Sequence, residues 1–212
     1  MIMKKISSLI AFIMLALCLV GCAGSSDNSM FSASDSDSEG STYSVPYYVA
    51  ETDSVIYVNC SVNSVSVEEG KITSVSDFDR INDWYSALGS DGTLADGYVF
   101  VTVEVTLNSP ETIDNLSLSC FWLCAGKSKN NYNTFEPHYI SDSAAPDDVH
   151  NALTVSVTEG EDKTVTIGYL RPKSDLEDAK YIALGAAFTD FGDDGDYTNP
   201  LIKLADSLEE IS

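Results

Sequence analysis

Apolar and polar side chains alternate along several stretches of the chain. Between positions 99 and 107 the odd positions are all aliphatic, whereas Thr102, Glu104 and Thr106 occupy even positions. Successive side chains of a β-strand point to opposite faces of its sheet, so the pattern predicts strands with one buried and one solvated face. The same alternation marks four further segments, residues 56–62, 116–124, 153–157 and 165–169.

Three more strands are predicted from composition and from turn residues. Residues 181–188 form a more continuously apolar strand, and residues 45–49 and 201–204 are expected edge strands with Pro46 and Pro200 at their margins. Short polar turns containing Gly, Asn, Asp or Pro separate the apolar runs. Because helices are absent between most strands, we expect a mostly β protein with an antiparallel β-sandwich rather than a parallel α/β sheet.

One segment has helical periodicity. In residues 77–88 the apolar side chains recur at spacings of three and four, and Ser76 or Asp77 can cap the first turn. Gly89 follows directly after the last turn, where helices commonly end. The pattern predicts one short helix inserted between strands and crossing over the sandwich.

The N-terminus has the features of a bacterial lipoprotein signal peptide. Lys4 and Lys5 precede an unbroken apolar run at residues 9–20, which is too short to cross roughly 30 Å of hydrocarbon as a permanent span. The junction Leu-Val-Gly-Cys ending at Cys22 resembles the lipobox, in which the cysteine is acylated, with palmitate for example, and becomes the first mature residue. We expect residues 1–21 to be removed and Cys22 to anchor the protein on the outer face of the cell membrane. Ordinary secretory cleavage nearby is the alternative.

The following segment is poor in large apolar groups. Residues 23–44 are rich in Ser, Gly and Asp, and such a composition cannot bury enough surface to fold. Residues 22–44 are therefore expected to be the lipidated cysteine and a disordered tether. Residues 45–212 remain for a single domain, which is long enough to form a sizeable core.

Charge and missing motifs restrict the function classes. The chain has 33 acidic and 11 basic residues and a formal charge of -22, which argues against nucleic acid as a partner. None of the common motifs for nucleophilic, metalloprotease or phosphate-binding chemistry is present. The two histidines, His138 and His150, lie in a polar stretch and are interpreted as surface residues. We expect no enzymatic activity.

Aromatic residues near predicted strand ends and loops favour a binding or adhesion module. Rigid aromatic side chains contact sugars and protein partners well, so an envelope protein or a carbohydrate is the expected partner. The alternative is a structural or accessory envelope protein without a ligand pocket, because a sandwich also needs aromatics in its core. The candidates are Tyr47, Tyr48, Trp84, Tyr85, Tyr132 and Tyr139.

Three cysteines fall within the predicted strands. Cys60, Cys120 and Cys124 all occupy apolar positions. Cys120 and Cys124 would be roughly 13 Å apart on one regular strand and could not pair. Thiols acting as small apolar groups are the preferred interpretation, and the alternative is a disulfide that joins Cys60 to one of the other two, with Cys120 preferred.

A cluster of acids is the one candidate metal site. Asp190, Asp193, Asp194 and Asp196 lie close together, with glycines that permit tight turns between them. Calcium prefers six to eight oxygen ligands from such loops, but the spacing does not match an EF-hand. A solvated turn is the preferred interpretation, and a Ca²⁺ site is the alternative.

Three segments carry a family resemblance, residues 96–108, 121–123 and 157–169. Their strand and turn patterns resemble the immunoglobulin-like domains of unknown function on bacterial surface lipoproteins. The resemblance covers residues 53–190, without the helical segment 77–88 and the Asp-rich loop. It implies an immunoglobulin-like sandwich and a location on the cell envelope, and the family has no agreed catalytic residues to carry over.

Overall fold

The chain folds mainly into β-strands. The computed structural model describes residues 31–33, 42–50, 52–144, 152–188 and 199–212, with the backbone alone for the first of these ranges. Helical structure in these ranges consists of short 3₁₀ turns at Phe78–Arg80, Lys173–Asp175 and Leu208–Ile211. None of the described helices is long and apolar enough to cross a membrane. The strands are β1 (Phe31–Ala33), β2 (Thr42–Val49), β3 (Ser54–Glu69), β4 (Tyr98–Asn108), β5 (Ile113–Ser117), β6 (Trp122–Ser128), β7 (Asn131–Phe135), β8 (Tyr139–Ile140), β9 (Thr154–Val157), β10 (Asp162–Pro172), β11 (Tyr181–Gly185) and β12 (Asn199–Ala205).

Two larger sheets enclose the core. The first has the order β2-β3-β4-β10-β8 and is antiparallel throughout, and the second has the order β1-β12-β11-β6-β7. In the second sheet only the β1–β12 pair is parallel among the described strands. Strands β5 and β9 form a separate antiparallel pair. The predicted mostly β, antiparallel sandwich is confirmed.

In β4 and β10 the buried side chains are those that the alternation of apolar and polar residues predicts. The odd positions of β4 from Val99 to Leu107 are fully buried and pack with Val165, Ile167 and Tyr169 of β10. Residues of the second sheet, including Leu123, Leu184 and Ile202, complete this main core. The hydroxyl of Tyr169 donates a buried hydrogen bond of 2.7 Å to the carbonyl of Phe121.

A smaller apolar cluster lies on the other face of the first sheet. Phe100 is fully buried although it occupies an even position of β4, because the β3–β4 loop (residues 70–97) covers it. Its ring lies against Gly168 of β10, where a Cβ atom would be only 2.4 Å from the ring. The other buried members of this cluster are Ile72, Ile81, Ala87, Leu94, Tyr139 and Leu170.

The helix predicted for residues 77–88 is wrong beyond its first turn. Only Phe78–Arg80 is helical, as a 3₁₀ turn. The carboxylate of Asp83 accepts hydrogen bonds from the amides of Ala87 and Leu88, both at 2.9 Å, so these groups do not bond along a helix. Ser86 has φ +52, a left-handed conformation that a right-handed helix does not contain. The helical spacing instead reflects side chains that belong to the smaller apolar cluster, namely Phe78, Ile81, Tyr85 and Leu88.

The single strand predicted for residues 116–124 is also wrong, because this stretch contains two strands. β5 ends at Ser117 and β6 begins at Trp122, and the chain crosses between sheets in residues 118–121. Leu118 and Phe121 are both buried in the main core, so the core-facing positions change from even to odd at the crossing. Trp122 consequently lies on the outer face of the second sheet.

The predicted tether is too long, because part of it pairs with the sandwich. β2 begins at Thr42, before the predicted domain boundary at residue 45, and Phe31–Ala33 pairs in parallel with Asn199–Leu201 of β12. An extended segment that pairs with a strand satisfies the backbone groups that a sheet edge otherwise exposes. β12 is therefore not the edge strand that the sequence predicts, whereas β2 is an edge strand as expected.

Candidate functional site

A pocket of about 290 Å³ lies where irregular segments from both sheets meet. One wall comes from the β3–β4 loop, a second from the crossing before β6, and a third from the connection between β7 and β8. The lining residues are Arg80, Asn82, Trp84, Ser119, Cys120, Trp122, Glu136, Pro137, His138, Tyr139, Ile140, Ala152 and Leu153.

Both tryptophans of the chain line this pocket. Trp84 is 57% exposed, and its ring centroid is 4.8 Å from that of His138. Trp122 is half-buried, and its Nε1 donates a 3.2 Å hydrogen bond to the carbonyl of Ser119, which fixes the indole plane. Tyr139 is buried below Arg80, whose guanidinium lies 5.6 Å from the ring centroid. The pocket therefore has aromatic surfaces on several sides.

Hydrogen bonds hold the β3–β4 loop against β8 at the pocket. Arg80 donates from Nη2 to the Ile140 carbonyl at 3.1 Å and from Nη1 to the Asp77 carboxylate at 3.2 Å. The amide of Asn82 donates to the His138 carbonyl at 2.9 Å. These bonds satisfy the exposed side of the short strand β8 and set the position of Trp84.

His138 is the most unusual residue of the pocket. It is only 2% exposed, and neither ring nitrogen makes a hydrogen bond within the described residues. Burial, followed by the positive charge of Arg171, lowers the pKa of His138 to about 4, against weaker opposing effects of the nearby Glu136 backbone carbonyl and of the Asp83 carboxylate. The imidazole is therefore neutral near pH 7 and offers one N–H donor and one nitrogen acceptor. The interpretation of His138 as a surface residue is wrong.

Arg171 forms the polar backing of this region. It donates from Nε to the Asp175 carboxylate at 3.1 Å and from Nη1 to the Tyr85 hydroxyl. Its guanidinium lies 4.2 Å from the ring centroid of Phe135 and 5.3 Å from that of Tyr85. The ring centroid of Tyr85 is in turn 6.0 Å from that of His138. Arg171 thus fixes the aromatic layer behind the pocket and carries the charge that disfavours protonation of His138.

The aromatic residues singled out from the sequence divide into three groups. Trp84 and Tyr139 line the pocket, and Tyr85 lies in the layer behind it. Tyr132 is buried on the outer face of the second sheet, and Tyr47 packs edge-on against Phe188. Tyr48 is 40% exposed and donates a 2.8 Å hydrogen bond to Asp53 on the β2–β3 hairpin. Trp122, which the sequence places only in a strand, is the site residue that was missed.

The proposed Cys60–Cys120 disulfide is not present among the described residues, and Cys60 and Cys124 are buried thiols. Cys60 belongs to the main core between the sheets, whereas Cys124 and the neighbouring Cys120 pack in the cluster on the outer face of the second sheet. Burial raises the pKa of the Cys60 and Cys124 thiols to about 12. Cys120 lines the pocket.

The remaining candidate residues lie outside the described residues. These are the lipid-attachment residue Cys22, the second histidine His150, and the acidic loop with Asp190, Asp193, Asp194 and Asp196. Within the described ranges, no group of three or more His, Cys, Asp or Glu residues is arranged to hold a metal ion.

Comparison with known proteins gives similarities to solved structures. No protein-family model and no curated protein matches the chain. An uncharacterized β-sandwich protein from Clostridium difficile 630 is 12% identical, with 82% of this chain and 94% of that chain covered and a TM-score of 0.41. The yjhA protein from Bacillus subtilis is 16% identical, with coverages of 77% and 96% and a TM-score of 0.42. A "putative lipoprotein" from Staphylococcus aureus subsp. aureus NCTC 8325 is 13% identical, with coverages of 77% and 93% and a TM-score of 0.34.

All three TM-scores are below 0.5, so the fold assignment rests on the sheets of this chain itself. Those sheets and the pocket define a β-sandwich protein with an aromatic-lined pocket where its two sheets meet.

Proposed function

We propose that the protein is a lipid-anchored binding module on the outer face of a bacterial cell membrane and that it has no catalytic activity. The observation that carries this proposal is the convergence of both tryptophans and the unpartnered His138 on one pocket. A buried polar group without a hydrogen-bond partner destabilises the free protein by about 1–3 kcal/mol. A ligand that bonds to His138 would relieve this cost, which gives the residue a role in binding.

The lining residues suit recognition better than hydrolysis. Aromatic faces and a neutral imidazole orient a ligand through stacking and hydrogen bonds. Glu136 is the one carboxylate among the described lining residues, whereas glycoside hydrolysis typically uses two carboxylates across the scissile bond. The geometry therefore favours reversible binding of a compact ligand.

Tryptophan fluorescence tests ligand binding directly. Both tryptophans of the wild-type protein line the pocket, so the total tryptophan emission reports on it. Titration of the purified protein with soluble envelope sugars, amino acids and organic cations should give a saturable change for at least one compound. Trp84→Ala, followed by calorimetry with that compound, should weaken binding at least about tenfold, as expected for the loss of an aromatic hot spot.

Tyr57→Ala is the matched control for Trp84→Ala, because Tyr57 is 52% exposed and does not line the pocket. This variant should bind the compound as the parent protein does. Absence of saturable binding across the panel, or equal affinity in the Trp84→Ala variant, would contradict the proposed binding function.

The lipid anchor is tested by Cys22→Ser in the native cell. The variant should leave the membrane fraction for the medium or accumulate as an uncleaved precursor, because serine cannot carry the thioether-linked lipid. Cys18→Ser, which changes a cysteine inside the signal peptide, should leave processing and fractionation unchanged. Normal membrane retention and processing of Cys22→Ser would refute anchoring at this residue.

A further inference from the structure

We propose that the pocket binds the ammonium group of a small organic cation. This inference rests on the proposed binding function and names the chemistry of the ligand. It is carried by the aromatic walls, by the balance of charge around the pocket and by the acceptor that His138 offers.

The aromatic surfaces of the pocket are suited to a cation. Indole is the best aromatic partner for a cation, and an ammonium group within about 6 Å of a ring centroid is attracted by the negative face of the ring. Trp84 lies against His138 and is 57% exposed, and Trp122 adds a second indole to the lining, whereas the buried Tyr139 ring is already covered by Arg80. The two indoles on one cavity of about 290 Å³ provide the aromatic surface for a cation.

The same region already holds cations against aromatic rings. Arg80 lies over Tyr139 at 5.6 Å, and Arg171 lies over Phe135 at 4.2 Å. These are the two arginines of the chain, so both guanidinium groups are placed on aromatic faces beside the pocket. Aromatic faces at this end of the sandwich therefore already contact positive charge.

The balance of charge favours a cation over an anion. The positive charge of Arg80 is balanced by Asp77, whose carboxylate is 3.2 Å away, and the Arg80 guanidinium is further occupied by the Ile140 carbonyl. Glu136 adds an exposed carboxylate to the lining. The formal charge of -22 attracts cations and repels anions over a longer range.

His138 supplies a hydrogen-bond acceptor for the N–H of a primary ammonium group or for a hydroxyl on the ligand, because a quaternary ammonium group has no N–H to donate. In its neutral form one ring nitrogen carries a lone pair, and neither nitrogen has a partner within the described residues. The Trp84 ring lies next to the imidazole, with 4.8 Å between the ring centroids, so a ligand that bonds to His138 also contacts the indole. Ligand binding should therefore change the emission of Trp84.

Two pairs of probes distinguish a cation site from a neutral one. Choline and its neutral isostere 3,3-dimethyl-1-butanol have the same shape and differ in charge, while n-butylammonium and glucose represent a primary ammonium group and a sugar ring. In the wild-type protein, at low salt, calorimetry should show choline or n-butylammonium binding about tenfold more tightly than the isostere and more tightly than glucose. Tighter binding of choline indicates that the natural ligand carries a quaternary ammonium group of the lipid-headgroup type. Tighter binding of n-butylammonium indicates a primary ammonium group of the lysine type.

Charge-neutral variants locate the effect at the pocket. Glu136→Gln should weaken binding of the preferred cation about three- to tenfold, whereas Glu111→Gln, an exposed acid that does not line the pocket, should have little effect. Equal affinity for choline, n-butylammonium and the isostere, stronger binding of glucose, or an unchanged affinity in Glu136→Gln would overturn the inference. In those cases saturable binding at Trp84 would still support the binding function, whereas binding of no compound at all would remove both proposals.

Discussion

Replacing Phe100 with alanine should lower the free energy of unfolding by about 3–5 kcal/mol. The ring is fully buried between β4, Gly168 and the β3–β4 loop, so its removal leaves a cavity that the neighbouring strands cannot fill. Chemical unfolding followed by circular dichroism measures the change. Tyr57→Ala, on the exposed side of β3, should change stability by less than about 1 kcal/mol. A loss below about 1 kcal/mol for Phe100→Ala would show that the loop does not depend on this ring.

Acidification should reveal His138 as a destabilising group. Its pKa is about 4 in the folded protein and 6.5 as the ordinary value. Between these values the unfolded chain takes up a proton that the folded chain does not, so the contribution of His138 to stability falls as the pH decreases through this window. Acidification through the whole window should lower the free energy of unfolding by roughly 3 kcal/mol through this residue, because each unit of pKa difference corresponds to about 1.36 kcal/mol.

A comparison of wild type with His138→Phe isolates this effect from the titration of the many acids. Phenylalanine has a similar shape and no unpartnered nitrogens, so the variant should be at least as stable as wild type at pH 7. The stability difference in favour of the variant should then grow between pH 6.5 and 4, as measured by urea unfolding at several pH values. Parallel stability curves for the two proteins would contradict a buried, neutral His138.

The sandwich itself is largely readable from the sequence, because alternation depends on local geometry that every strand shares. The odd positions of β4 and the residues Val165, Ile167 and Tyr169 of β10 are buried as predicted. The sequence pattern does not predict the secondary structure correctly where tertiary contacts satisfy the backbone or change the buried face. The Asp83 carboxylate accepts hydrogen bonds from backbone amides that would donate to carbonyl groups in a helix. After Ser117 the chain crosses between sheets, and the buried positions change from even to odd although apolar residues continue to alternate with other residues.

The candidate site was only partly predictable. Trp84 and Tyr139 were among the aromatic candidates, but nothing near His138 in the sequence indicates that it is buried. Its burial depends on the loop that Asn82 holds against it, and its neutrality depends partly on Arg171, which is distant in sequence. Trp122 was missed because the direction of its side chain depends on the crossing that precedes β6.

The buried thiols have a consequence for the chemical lifetime of the protein. The reactive form of cysteine is the thiolate, and with pKa values of about 12 Cys60 and Cys124 remain protonated in the folded state. Oxidants and alkylating reagents therefore reach these two sulfur atoms at a rate set by opening of the sandwich. In an oxidising environment, covalent damage at these positions would record how often each molecule has unfolded.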